Sequence, residues 1–207
     1  MASRFKWKPS YRFYRRAFRV ARVLFGIFYW LDITGREKIP EGAAMVCSNH
    51  SSVLDPIFVA FAFGPDHFLH FIAKIELFQT PVLAMLVTKL GAISVDRGMA
   101  DITTIKSSLS YLKAGEKVAI FPEGARVIGD EAKAAKTGAV KIAERAAVPI
   151  VPIYTPRRKG MFKKLHLVIG DPYYIEKPEI KRSAEEYMRL SDDLMETIES
   201  LNPFKTT

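Results

Sequence analysis

From Lys38 to Ile169 short β-type runs alternate with segments of helical period, and this alternation restricts the fold more than any other feature of the chain. The β-type runs are residues 44–48, 68–73, 92–96, 117–121, 150–154 and 165–169. Between them, residues 55–63, 75–89, 100–113 and 137–146 have helical period. Asp101 reads as a helix N-cap and Ala114-Gly115 as a stop. The pattern predicts an α/β domain with a central mixed sheet flanked by helices. A last helix over 181–201 places Tyr187, Leu190, Leu194, Ile198 and Leu201 three or four apart, one apolar stripe on an acidic helix that packs on the body. A chain of 207 residues suits a single core, and 49% hydrophobic residues exclude a disordered chain. With no repeat and no linker, one domain over 35–207 follows an N-terminal arm over 1–34.

The arm carries the charge. Of 31 Lys and Arg, eight lie between Met1 and Arg22 with no acid among them, which leaves 23 bases against 22 acids elsewhere. The apolar run that follows, Val23 to Leu31, is nine residues long, well short of the roughly 20 needed to span a bilayer. Trp7, Tyr11, Phe13, Tyr14 and Phe18 interleave the bases. This composition predicts a basic amphipathic helix lying in the interface of an anionic membrane. A solvated basic helix docked on the core is the alternative. No small-residue cleavage site marks a signal peptide. The body is nearly neutral and has no reading motif, so no nucleic-acid partner is expected. Cys47 is the single cysteine, which excludes an intramolecular disulfide and a Cys-based zinc site and fits a reducing compartment. Together these predict a peripheral, monotopic protein on the cytoplasmic face of the cell membrane.

Two segments carry titratable groups at the ends of β-type runs, where open α/β sheets bind ligands. Asn49-His50-Ser51-Ser52-Val53-Leu54-Asp55-Pro56 follows Met45-Val46-Cys47, and Phe121-Pro122-Glu123-Gly124-Ala125-Arg126 follows Val118-Ala119-Ile120. A histidine can take a proton near neutral pH, and a carboxylate can fix its tautomer. On an ideal helix a spacing of five would splay the two side chains by about 140°. His50 must therefore sit in a turn, with Asp55 in the first helical turn. Ser51, Ser52 and Cys47 lie close enough to be nucleophiles, but the chain has no Gly-x-Ser-x-Gly elbow.

In order along the chain come Asn-His-x4-Asp, Gly91-Ala92-Ile93-Ser94-Val95-Asp96-Arg97, Phe-Pro-Glu-Gly-x-Arg, and Val148-Pro149-Ile150-Val151-Pro152-Ile153. This set of four blocks resembles the glycerolipid acyltransferase family, the 1-acyl-glycerol-3-phosphate (lysophosphatidate) acyltransferases. The resemblance covers residues 38–174 and implies the family fold. It implies transfer of a fatty acyl group from a thioester, acyl-CoA or acyl-carrier protein, to the sn-2 hydroxyl of a lysophospholipid acceptor, giving phosphatidate. His50 would be the general base and Asp55 its orienter. Asn49, Arg97, Glu123, Gly124, Arg126 and Lys136 would bind substrate, the guanidinium groups matching a phosphate bidentately. Lys133 would add charge ahead of the helix near Thr137. Neither a metal nor a cofactor beyond the acyl donor is expected. Ala125, Val127 and Ser94 depart from the family's usual Thr, Ser and bulky apolar residue, which keeps other acceptors open: glycerol-3-phosphate, another lysophospholipid or a lyso-aminolipid. A non-catalytic membrane lipid-binding protein is the alternative outside acyl transfer.

Other signals are discounted. Ser110-x-x-Lys113 and Lys136-Thr137-Gly138 mimic serine β-lactamase motifs but lie too close together. His67, His70 and His166 lack acidic neighbours at metal-ligand spacing and read as structural. Residues 75–89 are apolar nearly all round and read either as a buried helix or as a tunnel wall or membrane patch.

Overall fold

Ala44–Ser48 is apolar but for its last residue, and all five residues are buried, the mark of a strand covered on both faces. It is the centre of the sheet. The structure, a computed structural model, describes residues 7–96, 102–127 and 134–204. Among these, seven strands are β1 (Tyr29–Thr34), β2 (Ala44–Ser48), β3 (Leu69–Lys74), β4 (Ile93–Val95), β5 (Lys117–Ile120), β6 (Ile150–Tyr154) and β7 (Lys163–Ile169). Six helices are α1 (Tyr11–Gly26), α2 (Asp55–Phe63), α3 (Pro81–Lys89), α4 (Ile102–Lys113), α5 (Gly138–Ala146) and α6 (Ala184–Ser200).

The strands form one mixed sheet in the order β1-β7-β6-β2-β5-β3-β4. From β6 across to β4 every pairing is parallel, β7 runs antiparallel to β6, and β1 is parallel to β7. The carboxyl ends of β2, β5 and β6 therefore share one edge, and the amino ends of β7 and β1 come to that same edge. One face of the sheet is covered by α1 and α2 through Phe18, Phe25, Phe58 and Phe61. The other is covered by α4, α5 and α6 through Leu112, Ile142, Leu194 and Ile198. The expected central mixed sheet flanked by helices is the observed fold.

The differences from the sequence expectation are local. β1 lies within residues 1–34, the stretch read as an arm, and forms an edge of the sheet, in register from Tyr29 opposite Lys163 to Thr34 opposite Val168. The apolar run from Val23 to Leu31 is thus shared between a helix and a strand, with Gly26 ending α1. Residues 75–89 are two pieces, a 3-10 turn over Ile75–Phe78 and then α3, which starts at Pro81 where a ring-fixed φ and a missing N–H cost a helix nothing. Only Ala84 of α3 is buried, while Val82 and Leu86 are exposed, so α3 is not a buried helix. Asp101 lies outside the described residues.

Helix α1 carries two apolar stripes. Tyr14, Phe18, Ala21 and Phe25 face the core at spacings of four, three and four. Val20, Val23, Leu24 and Ile27 form a second stripe at three, one and three, all of it exposed, with Arg12, Arg16 and Arg19 leading into it. The helix is docked on the body and still presents an apolar, basic outer face. Among the described residues, no helix is long and apolar enough to cross a membrane.

Candidate active site

Three chain reversals meet at the shared carboxyl edge of β2, β5 and β6. After β2 the chain turns through Asn49–Leu54 into α2, whose first residue is Asp55 with Pro56 behind it. That turn does what a spacing of five requires. His50 Nδ1 lies 2.8 Å from Asp55 Oδ2, and the same oxygen accepts the N–H groups of Ser51 and Ser52, each at 2.7 Å. An ionised carboxylate only accepts, so Nδ1 carries the proton, and in the neutral ring the lone pair is on Nε2. The imidazole stacks on Phe121, from the turn after β5, with centroids 4.2 Å apart and planes at 19°.

Asp55 is completely buried and has a second partner. Lys159 Nζ sits 2.5 Å from Asp55 Oδ1 with its own side chain 4% exposed. It donates to Ser51 Oγ at 2.9 Å and to the Pro156 carbonyl at 2.5 Å. Burial by itself would lift the Asp55 carboxyl. The His50 hydrogen bond, the Lys159 ammonium and the Ser52 N–H outweigh it and hold the group below the usual carboxylate range. Burial pushes the Lys159 ammonium below the ordinary lysine range, with Asp55 partly restoring it.

Asn49 and Glu123, expected among the substrate contacts, are sealed in protein with their polar atoms taken by it. Asn49 Nδ2 donates to the Thr155 carbonyl at 2.8 Å, and Asn49 Oδ1 accepts the Thr155 N–H at 2.8 Å. This pair continues the β2–β6 ladder one residue past its end. Glu123 Oε2 accepts the backbone N–H of His50 at 2.7 Å, and Glu123 Oε1 accepts Arg157 Nη2 at 2.8 Å. Arg157 Nη2 also reaches Glu199 of α6 at 2.5 Å. The Val127 N–H donates to the His50 carbonyl at 2.8 Å. The loops after β2, β5 and β6 are thereby tied around His50. A buried carboxylate is tolerable at Glu123 because a guanidinium and an amide meet both of its oxygens.

Gly124 has φ +67°, a left-handed backbone, and a Cβ there would fall 2.7 Å from Lys136 Cδ. The turn thus needs glycine twice over, for its backbone and for the lysine stem laid across it. Lys136 and Arg126 are both exposed, and Lys136 lines a cavity beside Gly124. Arg97 and Lys133 lie outside the described residues. Gly124, Lys136 and Phe121 line this cavity of about 500 Å³ together with the aliphatic Ile72, Val95, Ile105 and Ile142. None of its walls comes from residues 75–89.

Of the neighbouring nucleophile candidates, Cys47 is buried and its thiol is raised by that burial. Ser51 Oγ accepts from Lys159, and Ser52 Oγ accepts from the Leu54 N–H at 3.2 Å. Val127, one of the departures from the family pattern, is buried. His70 is buried between the Gly91 carbonyl and Glu116. Among the described residues, no three His, Cys, Asp or Glu side chains gather as a metal site would require. The sequence reading missed Lys159, Arg157 and Thr155. Their signal was available: Thr155-Pro156-Arg157-Arg158-Lys159 follows directly on β6 at the same sheet edge as His50.

Comparison with known proteins gives the same reading of the fold and the family. The family model "Acyltransferase" matches residues 31–155. The 1-acyl-sn-glycerol-3-phosphate acyltransferase of Bacillus subtilis is 34% identical over 79% of this chain and 82% of its own. A probable 1-acyl-sn-glycerol-3-phosphate acyltransferase of Mycoplasma pneumoniae is 36% identical over 58% of this chain, which spans 47% of that protein. The crystal structure of the 1-acyl-sn-glycerophosphate (LPA) acyltransferase PlsC from Thermotoga maritima superposes with a TM-score of 0.67 at 22% identity, covering 95% of this chain and 81% of that one. A model match over more than half the chain, together with a relative 34% identical over most of both chains, shows that this chain belongs to the acyltransferase family and is an enzyme of it.

Proposed function

We propose that this enzyme transfers a fatty acyl group from a thioester donor, acyl-CoA or acyl-carrier protein, to the sn-2 hydroxyl of lysophosphatidate at a membrane surface. The observation that carries the chemistry is the His50–Asp55 hydrogen bond, which leaves Nε2 as the basic nitrogen of a mostly buried imidazole. Nε2 removes the proton from the acceptor hydroxyl as its oxygen attacks the thioester carbonyl. The tetrahedral adduct expels the thiolate, which takes that proton back from His50. The products are an ester and a free thiol, and no acyl-enzyme is formed. Asp55 keeps the ring in the required tautomer and faces the imidazolium that forms between the two steps.

Arg126 and Lys136, with Arg97, supply the positive charge that a phosphomonoester needs. Gly124 brings Lys136 to the site, while Asn49 and Glu123 position the turn that carries His50. The largely apolar cavity lined by Phe121, on which the His50 ring stacks, takes an acyl chain, since Ile72, Val95, Ile105 and Ile142 also line it. The outer face of α1 lies on the anionic surface that holds the acceptor, on the cytoplasmic face of the membrane.

The test is acyl transfer from labelled oleoyl-CoA to lysophosphatidate in anionic liposomes, wild type against His50→Ala. Labelled phosphatidate from wild type, with a loss of at least about a hundredfold in the variant, is the expected result for removal of a general base. Equal rates would overturn the assignment of His50. Product only with another acceptor would move the acceptor and leave the chemistry intact.

A further inference from the structure

The turn between β6 and β7 has a composition that folding alone does not explain. Met161 and Phe162 stand at its tip, each 61% exposed, and Phe162 has φ +59°. A β-turn with only a chain to reverse takes Gly or Asn at a left-handed position, because a bulky side chain there is strained. Here the strained position holds an aromatic ring that is mostly in solvent. Basic residues flank it in sequence: Arg158, Lys163 and Lys164 are all exposed, with Lys164 paired to Asp32 at 3.1 Å.

This tip is joined to the outer face of α1. The Phe162 N–H donates to the Phe28 carbonyl at 2.6 Å, and the two rings lie 5.8 Å apart. Phe28 follows directly on Ile27, the last residue of the exposed apolar stripe. Strand direction fixes where the tip lies. The turn leaves the carboxyl end of β6, the end at which β2 delivers His50, and β1 begins there opposite Lys163. The same turn contains Lys159, two residues before Met161, whose ammonium holds Asp55.

We infer that Met161 and Phe162 form a second membrane-inserting contact beside α1, and that the two contacts together turn the His50 edge of the sheet toward the bilayer. The inference rests on the reading that the enzyme works at a membrane surface. A single interfacial helix leaves a protein free to roll about its axis, whereas a second contact off that axis fixes the roll. The occupant is an anionic lipid interface, since an exposed apolar tip flanked in sequence by exposed Arg and Lys matches an acyl boundary beneath negative headgroups.

An environment-sensitive fluorophore on Met161→Cys tests this directly in the full chain, because Cys47 is buried and does not compete for the label. The same label on Val23→Cys reports α1. On addition of phosphatidylcholine–phosphatidylglycerol vesicles, both labels are expected to brighten and shift to the blue. A response at 23 with none at 161 overturns this inference and leaves the membrane reading standing. Silence at both positions overturns the reading and the inference with it. Phe162→Gly separates contact from folding, because it relieves the left-handed backbone as it removes the ring. It is expected to melt at or above the wild-type temperature and to bind the vesicles about tenfold more weakly, the scale for withdrawing one aromatic side chain from an interface. Wild-type vesicle binding by Phe162→Gly would overturn the inference.

Discussion

The ammonium of Lys159 does for Asp55 what Asp55 does for His50. A carboxylate with no exposed surface stays ionised only where its partners outweigh the loss of water, and here the ion pair, the imidazole and two amides do so. Because the folded-state value of Asp55 is depressed, the stability it contributes is present above its unfolded value, about 3.9. That stability is lost as pH falls through the lower folded value. Lys159→Met removes one partner of a buried pair and is expected to lower unfolding stability by about 3 kcal/mol. Its diagnostic readout is the pH–rate profile. With the ammonium gone, burial acts on the Asp55 carboxyl against fewer partners and raises it, so the acid limb of kcat should move to higher pH while the acceptor's KM stays close to wild type. Lys159→Arg, which retains charge at every accessible pH, should hold the acid limb in place. A Lys159→Met profile with wild-type limbs would reduce Lys159 to a structural role. The His50–Asp55 hydrogen bond could be anticipated in the sequence because its two members lie five residues apart across a turn. Lys159 was not, because it enters from 104 residues further on and only the β2–β6 pairing brings it near.

At the scale of elements, what the sequence hid was a boundary. Strand β1 follows α1 after two residues, Ile27 and Phe28, and those two are as apolar as both neighbours, so no polar turn divided the run. The aromatic and β-branched content of Tyr29–Thr34 marks a strand once Gly26 is taken as the end of the helix. Strands β2 and β6 were legible to the residue because strands buried on both faces are continuous apolar runs with sharp ends. The two stripes of α1 have different work and should separate by mutation. Phe25 packs with Phe58 and Phe61, so Phe25→Ala is expected to cost about 2–3 kcal/mol in a denaturant melt, with liposome affinity measured on the folded fraction preserved. Val23→Ser combined with Leu24→Ser changes only exposed positions and should leave the melt within about 0.5 kcal/mol of wild type. That pair should nonetheless weaken liposome sedimentation, since it withdraws the apolar half of the outer face. If both variants lost stability and neither lost binding, α1 would be a core helix alone.

The whole molecule is polarised in charge as well as in structure. A net +9 falls almost entirely on the first 22 residues, while the rest of the chain is within one charge of neutral. A near-neutral body has no long-range pull toward an anionic surface, so electrostatic attraction is concentrated on the segment that also presents the exposed apolar stripe. Each base close to such a surface is worth about 1 kcal/mol, and the field decays over roughly 8 Å at physiological ionic strength. Adsorption should therefore have two regimes. Arrival is electrostatic: sedimentation with liposomes should need phosphatidylglycerol and fall steeply between about 0.05 and 0.5 M salt, where the screening length shrinks to a few ångströms. Retention is apolar: protein already bound should resist the same rise in salt better than protein added after it, because buried side chains are not screened. Activity on lysophosphatidate carried in those liposomes should follow the bound fraction, whereas activity on a short-chain acceptor dissolved in water should not change with lipid composition. Liposome activity that ignored both salt and headgroup charge would break the link between the arm and the substrate. The basic residues of α1 would then have to be explained by their contacts to the body, such as that of Arg15 with Asp66 at 3.3 Å.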